Sequence, residues 1–185
     1  PNLFESASML SGIQPVLNCN VCNTGDIQIN GMEGVYTQVL LDGMPIVSGL
    51  GTVYGLMGIP NSMIDRIEVV KGPAGSLYGA EAMAGQINIL TKSPEQAPQA
   101  AAEVFATSWQ EWSADAGWKT QLGKNASALW GMNGFWFQHP ADYNRDGFTD
   151  LAQQKRVSAF SKWGWKRRGN RAAHLGLRYV WEDRW

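Results

Sequence analysis

Cys19 and Cys22, the only two cysteines of the 185-residue chain, lie in NCNVCNTG, residues 18 to 25. A Cys-x-x-Cys pair is the spacing of a redox centre, of half a zinc site, or of a small disulfide loop. Structural zinc takes four ligands, and the chain adds only two distant histidines, His139 and His174. A redox centre places its first cysteine at a helix N-terminus after a strand, whereas Asn and Gly surround this pair. A second set, Asp142, Asn144, Asp146, Gly147 and Asp150, falls at positions 1, 3, 5, 6 and 9 of a calcium-loop template. Position 12 is Gln153 rather than a bidentate Glu, and no helical pattern flanks the loop, so an Asx-rich turn is the alternative. Gly72, Gly75 and Gly79 have neither the dinucleotide nor the P-loop spacing and read as turn glycines.

The elements that must carry these groups are mostly strands. Ile64 to Lys92, IDRIEVVKGPAGSLYGAEAMAGQINILTK, begins with a β-branched run and is broken at Gly72-Pro73. Ser76 is the expected N-cap of a helix that Gly79 and Gly85 limit to about two turns. From Gln86 the pattern alternates, with Ile87, Ile89 and Thr91 on one side and Asn88 and Leu90 on the other. The spacing predicts a β-α-β unit. Leu3, Ala7 and Leu10 predict a helix within residues 3 to 14 that stops at Gly12. DIQING, residues 26 to 31, and VYTQVLLDGMP, residues 35 to 45, predict two more strands, the second ending in an Asp42-Gly43 turn. Residues 46 to 60 contain four glycines around Ser48, Thr52 and Tyr54, a glycine-loosened connection.

Composition splits the chain in two. All nine Trp lie between Trp109 and Trp185, whereas residues 1 to 98 hold seven of the eight Pro. Residues 1 to 98 carry three basic and eight acidic groups, and residues 99 to 185 carry twelve and eight, a net −5 against +4. The Pro-rich SPEQAPQ after Lys92 marks the boundary. Beyond it, Trp112, Ala114, Ala116, Trp118 and Leu122 alternate with Glu111, Ser113, Asp115, Lys119 and Gln121. Ala173, Leu175, Leu177, Tyr179 and Trp181 are likewise opposed by His174, Arg178 and Glu182. Segments of about ten residues with one apolar and one charged face are the pattern of a membrane β-barrel, and Trp at the strand ends favours it over a soluble sandwich. Five strands are expected, at about 101 to 109, 111 to 122, 126 to 138, 152 to 166 and 171 to 185. Short turns join the second to third and fourth to fifth, and HPADYNRDGFTD joins the third to fourth. No apolar run approaches the roughly 18 residues of a membrane helix, and no signal peptide is read at Pro1.

Residues 64 to 92 closely resemble the C-terminal half of the plug domain of TonB-dependent outer-membrane receptors. The shared pattern is an Ile-Asp-Arg-Ile-Glu-Val-like strand, Gly-Pro, Leu-Tyr-Gly, a small-residue turn and Ile-Asn-Ile ending in Thr-Lys, with Lys71 for the usual Arg and Gln86 after Gly85 as departures. DIQING is similar to the family's Ile-x-Ile-Arg-Gly strand with Asn30 for Arg, and Leu-Asp-Gly-x-Pro matches residues 41 to 45. The resemblance implies an α+β plug domain, partial, over 1 to 92, a linker over 93 to 100, and the first five or so antiparallel strands of an incomplete transmembrane β-barrel over 101 to 185. It implies the outer membrane of a Gram-negative bacterium, contact with its lipid, and no nucleic-acid partner and no enzymatic activity. Uptake would be energised through TonB, by an N-terminal box expected to lie outside these residues, and the chain is read as a mature or truncated piece. The solute would be an iron complex (siderophore or haem) or cobalamin. Its expected contacts are the two outward loops, with Asn20, Val21 and Asn23 on one and Ser48, Leu50, Thr52, Tyr54 and Met57 on the other. Arg66 and Glu68 are expected to lock the plug to wall charges. An extracytoplasmic setting favours a Cys19–Cys22 disulfide over free thiols. Calcium at Asp142, Asn144, Asp146 and Asp150 stays open, as do three rivals: a glycan-importing receptor of the same fold, a periplasmic thiol-disulfide protein using Cys19 and Cys22, and a soluble calcium-binding adhesion module. The glycan importers read Lys-Asp-Ala where Lys71-Gly72-Pro73 stands.

Overall fold

β-Branched and aromatic runs cut by glycine turns give described residues that are mostly strand. The computed structural model describes residues 8–19, 24–46, 59–73, 75–95, 97–140, 142, 145–147, 149–167 and 171–185. The chain divides into two units, Pro1–Met57 with Ile64–Thr91, and Gly58–Met63 with Lys92–Trp185. Among the described residues no helix is long and apolar enough to cross a membrane.

In the first unit, β1 (Ile13–Cys19) pairs antiparallel with β2 (Thr24–Ile29). A separate four-stranded sheet has the order β4 (Met44–Pro45), β3 (Thr37–Leu41), β6 (Gly85–Thr91), β5 (Ile64–Lys71). β3 and β6 are parallel; the other two pairs are antiparallel. The alternation in β6 is as expected: Ile87, Ile89 and Thr91 are buried while Asn88 and Leu90 are half-buried. With Val39, Leu40, Ile27 and Ile29 also buried, each aliphatic side chain contributes about 1.5–3 kcal/mol.

Three local expectations are corrected. Ile64–Thr91 is not a β-α-β unit: β5 and β6 are antiparallel neighbours joined by 3₁₀ turns over Ser76–Ala82. Gly79 at φ 68° interrupts any α-helix there, and the N-cap is Gly75, without a side-chain cap bond, rather than Ser76. The expected stop at Gly12 is present, with Gly12 at φ 74° and β1 beginning at Ile13, but residues 8–12 that lead to it are turns rather than helix; residues 1–7 lie outside the described residues. β7 (Ala100–Ala106) ends three residues earlier than expected, since Thr107–Gln110 forms a turn in which Gln110 takes φ 64°.

Two tight turns shape the first unit, one after β2 and one between β3 and β4. Asn30 and Gly31 at φ 53° and 79°, and Asp42 and Gly43 at φ 51° and 80°, are two-residue hairpin loops whose left-handed backbone matches strand twist. The second is bolted to β6. Asp42 accepts from the Thr91 N–H at 2.8 Å and from the Thr91 hydroxyl at 2.6 Å, and its own N–H donates to the Ile89 carbonyl at 2.9 Å. The Gly43 N–H donates to Asn88 Oδ1 at 3.0 Å. The residues that make the hairpin therefore also set the register of β3 beside β6.

The second unit is a five-stranded antiparallel meander in the order β11-β10-β9-β8-β7, in which β8 is Glu111–Gln121, β9 Ala126–Phe137, β10 Gln154–Arg167 and β11 Arg171–Arg184. Its five strands and the short turn between β8 and β9 follow the sequence pattern. The Pro-rich segment is packed rather than loose: Pro94 and Ala97 are buried, and the Lys119 N–H donates to the Gln99 carbonyl at 2.9 Å. β11 is an outer strand and leaves Leu177 and Tyr179 exposed. Expressed alone, residues 1 to 185 are expected to be insoluble or held only in detergent, because an exposed apolar edge strand templates aggregation; a monodisperse detergent-free monomer in size exclusion would contradict this. Asp42→Ala is expected to cost about 3 kcal/mol and Asp42→Asn about 1 kcal/mol, read as faster amide exchange in Gly85–Thr91.

Candidate functional site

Residues paired directly across an antiparallel sheet share one face, so the register of β7 to β11 sorts every side chain. One face carries, row by row, Ala106, Trp112, Trp136, Lys155 and Asp183; then Val104, Ala114, Gly134, Val157 and Trp181; then Ala102, Ala116, Met132, Ala159 and Tyr179. Below these come Ala100, Trp118, Trp130, Ser161 and Leu177. It is apolar between two aromatic belts. At one end the Lys155 ammonium lies 4.7 Å from the Trp136 ring centre and 4.6 Å from that of Trp185. At the other, Trp118, Trp130, Trp163 and Trp165 form a ladder with successive ring centres 6.4, 5.2 and 6.3 Å apart. From Lys155 to Trp165 the strand rises about 33 Å, which at a tilt near 40° spans about 25 Å, the height of a membrane barrel's apolar band.

The opposite face is polar and closely covered. Asp115, Asn133, Gln154, Arg156 and Ser158 are buried there. The Arg156 guanidinium stands 5.2 Å from the Phe135 ring centre, and Gln154 and Arg184 both donate to the Glu182 carboxylate. Between Asp115 and the glycines beside it sits a turn from a distant part of the sequence, Ile59–Met63, which belongs to this unit. The Asn61 N–H donates to Asp115 Oδ1 at 3.1 Å, and Asn133 Nδ2 donates to Asp115 Oδ2 at 3.2 Å. Gly117 and Gly131 form the seat. A Cβ on Gly131 would lie 2.5 Å from Met63 Cγ, and one on Gly117 would lie 2.8 Å from Ser62 Oγ. The Lys92 N–H donates to the Met63 carbonyl at 2.8 Å and Lys92 Nζ to the Ser62 carbonyl at 3.0 Å. Sequence reading missed this group. Its signal was available: an acid and two glycines on the polar side of alternating strands.

Of the expected site residues, Asn20, Val21, Asn23, Ser48, Leu50, Thr52, Tyr54 and Met57 lie outside the described residues, as do Cys22 and the side chain of Cys19. Arg66 is placed. Its Nε donates to Glu68 at 2.9 Å and its Nη1 to Asp65 at 2.8 Å, all three side chains being exposed. The Glu68 bond, then the Asp65 bond, push the guanidinium pKa further above its ordinary value. In the acidic loop, Asp142 is committed to its own backbone, accepting from the N–H groups of Asp146 and Gly147, both at 3.1 Å. Gln153 exchanges backbone bonds with Trp185 at 3.1 and 3.2 Å, so strands and not helices flank the loop; Asn144 lies outside the described residues. Among the described residues no three or more potential metal ligands cluster, and the two Asp142 bonds are those of an Asx-type turn.

Comparison with known proteins gives one family. The profile described as TonB-dependent Receptor Plug Domain matches residues 1–86. The chain is similar to the vitamin B12 transporter BtuB of Vibrio vulnificus, 34% identical over 94 residues, covering 51% of this chain and 15% of that protein. It is also similar to the probable TonB-dependent siderophore receptor PirA of Acinetobacter baumannii, 29% identical over 170 residues, covering 86% of this chain and 22% of that one. The pyoverdine outer membrane receptor FpvA of Pseudomonas aeruginosa superposes on 99% of this chain and 25% of its own with a TM-score of 0.74 at 18% identity, a likeness of fold. The chain thus spans about a fifth or less of these two curated relatives.

Asp115→Ala should speed amide exchange at Asn61 about tenfold to a hundredfold, since a bond to a charged acceptor contributes about 1.5–3 kcal/mol, while the amides of β10 and β11 hold. Gly131→Ala should release Met63 and give the same signature without touching the carboxylate.

Proposed function

We propose that this chain, which belongs to the TonB-dependent receptors, forms the plug and first wall strands of an outer-membrane transporter that takes up a scarce iron complex or cobalamin, energised through TonB. The observation that carries this reading is the register of β7 to β11, which sets an apolar face between aromatic belts against a polar face that seats a turn, beside a plug-family match over residues 1–86. Such a wall fits a barrel with lipid outside and a filled lumen. The relatives' named cargoes, vitamin B12 and siderophores, support the solute class.

The work required is mechanical rather than covalent. Solute must bind the outward-facing state better than the open one, and the pull transmitted by TonB must remove that advantage. The contacts assigned to solute are Asn20, Val21 and Asn23 on one loop and Ser48, Leu50, Thr52, Tyr54 and Met57 on the other, with Tyr54 as the stacking group. Arg66 and Glu68, satisfied within their own strand, are proposed to exchange those bonds for wall charges in the intact barrel. Cys19 and Cys22 are proposed to close a small disulfide loop, readable as a mass about two daltons below that of the reduced peptide, two hydrogens being lost as the bond forms.

A deletion strain carrying the intact receptor should grow on one member of a panel of ferric siderophores, haem and cyanocobalamin as sole iron or corrinoid source, and should fail without TonB. Tyr54→Ala should weaken binding of that solute about tenfold, in line with the 1–3 kcal/mol of an aromatic stack, while leaving outer-membrane levels unchanged; unchanged affinity would move the site to other loops.

A further inference from the structure

The two rims of the wall differ in charge. Residues 119 to 126 and 160 to 173, which make the turn ends of β8–β9 and β10–β11, contain Lys119, Lys124, Lys162, Lys166, Arg167, Arg168 and Arg171 and not one acid. At the other rim, Glu111, Asp142, Asp146, Asp150, Glu182 and Asp183 accumulate. This basic rim has a shaped surface. A hollow of about 590 Å³ is lined by Leu122, Lys124, Ala126, Trp165, Lys166 and Ala173, among others. Ala126, Trp165 and Ala173 are one register row of the apolar face, and Leu122 is tied to that row through its N–H, which donates to the Ala126 carbonyl at 2.9 Å. Trp165 forms the end of the indole ladder, its ring 6.3 Å from Trp163. Lys124 and Arg171 are exposed beyond this row, one turn on each side. Lys166 is engaged by Glu95 at 3.0 Å, so Lys124 and Arg171 carry the argument.

We infer that the hollow at the β8–β9 and β10–β11 turns is a binding site for an anionic phospholipid, with Lys124 and Arg171 on the headgroup phosphate and the Trp165, Leu122 and Ala173 surface against the upper acyl chain. The inference rests on the membrane reading above. A soluble anion would use the two cations alone. A lipid uses both the cations and the apolar strip that continues from them down the strand, and the pairing of the two is what selects it. Indoles place the glycerol level, cations reach past it to the phosphate, and an exposed cation near an anionic surface strengthens binding about fivefold. Residues 119 to 126 and 160 to 173 add no carboxylate to repel a phosphate, and the Glu95 carboxylate is held by Lys166.

The test uses the intact receptor in detergent and follows lipid binding by native mass spectrometry, with phosphatidylglycerol against phosphatidylcholine of the same chains. Phosphatidylglycerol should be retained preferentially. Lys124→Gln with Arg171→Gln should weaken it about twenty-five-fold, the product of two fivefold effects, and should weaken phosphatidylcholine less, since its choline already offsets the phosphate charge. Trp165→Ala should weaken both lipids. Arg145→Gln, an exposed cation of the long loop, should change neither. Equal retention of the two lipids by the native receptor, or an unaltered preference in the double variant, would overturn the site. Complete displacement by excess inorganic phosphate would overturn it too, showing a plain anion site. A receptor that imports no member of the solute panel yet keeps the lipid preference would sink the uptake reading and leave this one standing.

Discussion

Residues that pair across an antiparallel sheet must share a face, and in a membrane wall the backbone of each strand has no partner except the next strand. That single constraint decides what each side chain of residues 100 to 184 can do. Once Asp115 stands opposite Asn133 and Ser158, Trp112 must stand with Trp136 and Lys155 on the other side. A one-residue slip in β9 would turn Trp130, Met132 and Trp136 inward and put Asn133 and Gly131 on the lipid side. The aromatic belts, the polar seat and the basic rim all presuppose the same register.

Within that frame, glycine and carboxylate act as a pair. Gly117 and Gly131 remove two side chains from the polar face, and the space is filled by Ser62 and Met63 from a turn more than fifty residues earlier. Asp115 then makes the contact specific, since its two oxygens meet one backbone and one side-chain N–H. Packing alone would tolerate a neighbouring register; two hydrogen bonds to a buried carboxylate do not. Lys92 closes on the same turn, its N–H meeting the Met63 carbonyl and its ammonium the Ser62 carbonyl. Asp42 has the parallel role in the first unit, where one carboxylate ends β3, tops β6 and shapes the hairpin between β3 and β4.

The alternation of Trp112 to Leu122 and of Ala173 to Trp181, the five-strand count and the Asp42-Gly43 hairpin were all determined by the sequence, because period-two patterning and positive-φ turn residues are local properties. So was the likeness to TonB-dependent receptor plugs, through the strand and turn pattern of residues 64 to 92. The helical content of that stretch was not: Gly79 ends the turn early, and whether β5 and β6 run parallel depends on where the chain returns. Most of all, the sequence could not bring Asn61 to Asp115 or place Met63 on Gly131, since those contacts join segments far apart in the chain and only the completed sheet creates the hollow they fill. Likewise Lys124, Trp165 and Arg171 read as unrelated turn and strand residues until the register sets them on one rim. Faces follow from local pattern; neighbours across the sheet follow from tertiary pairing alone.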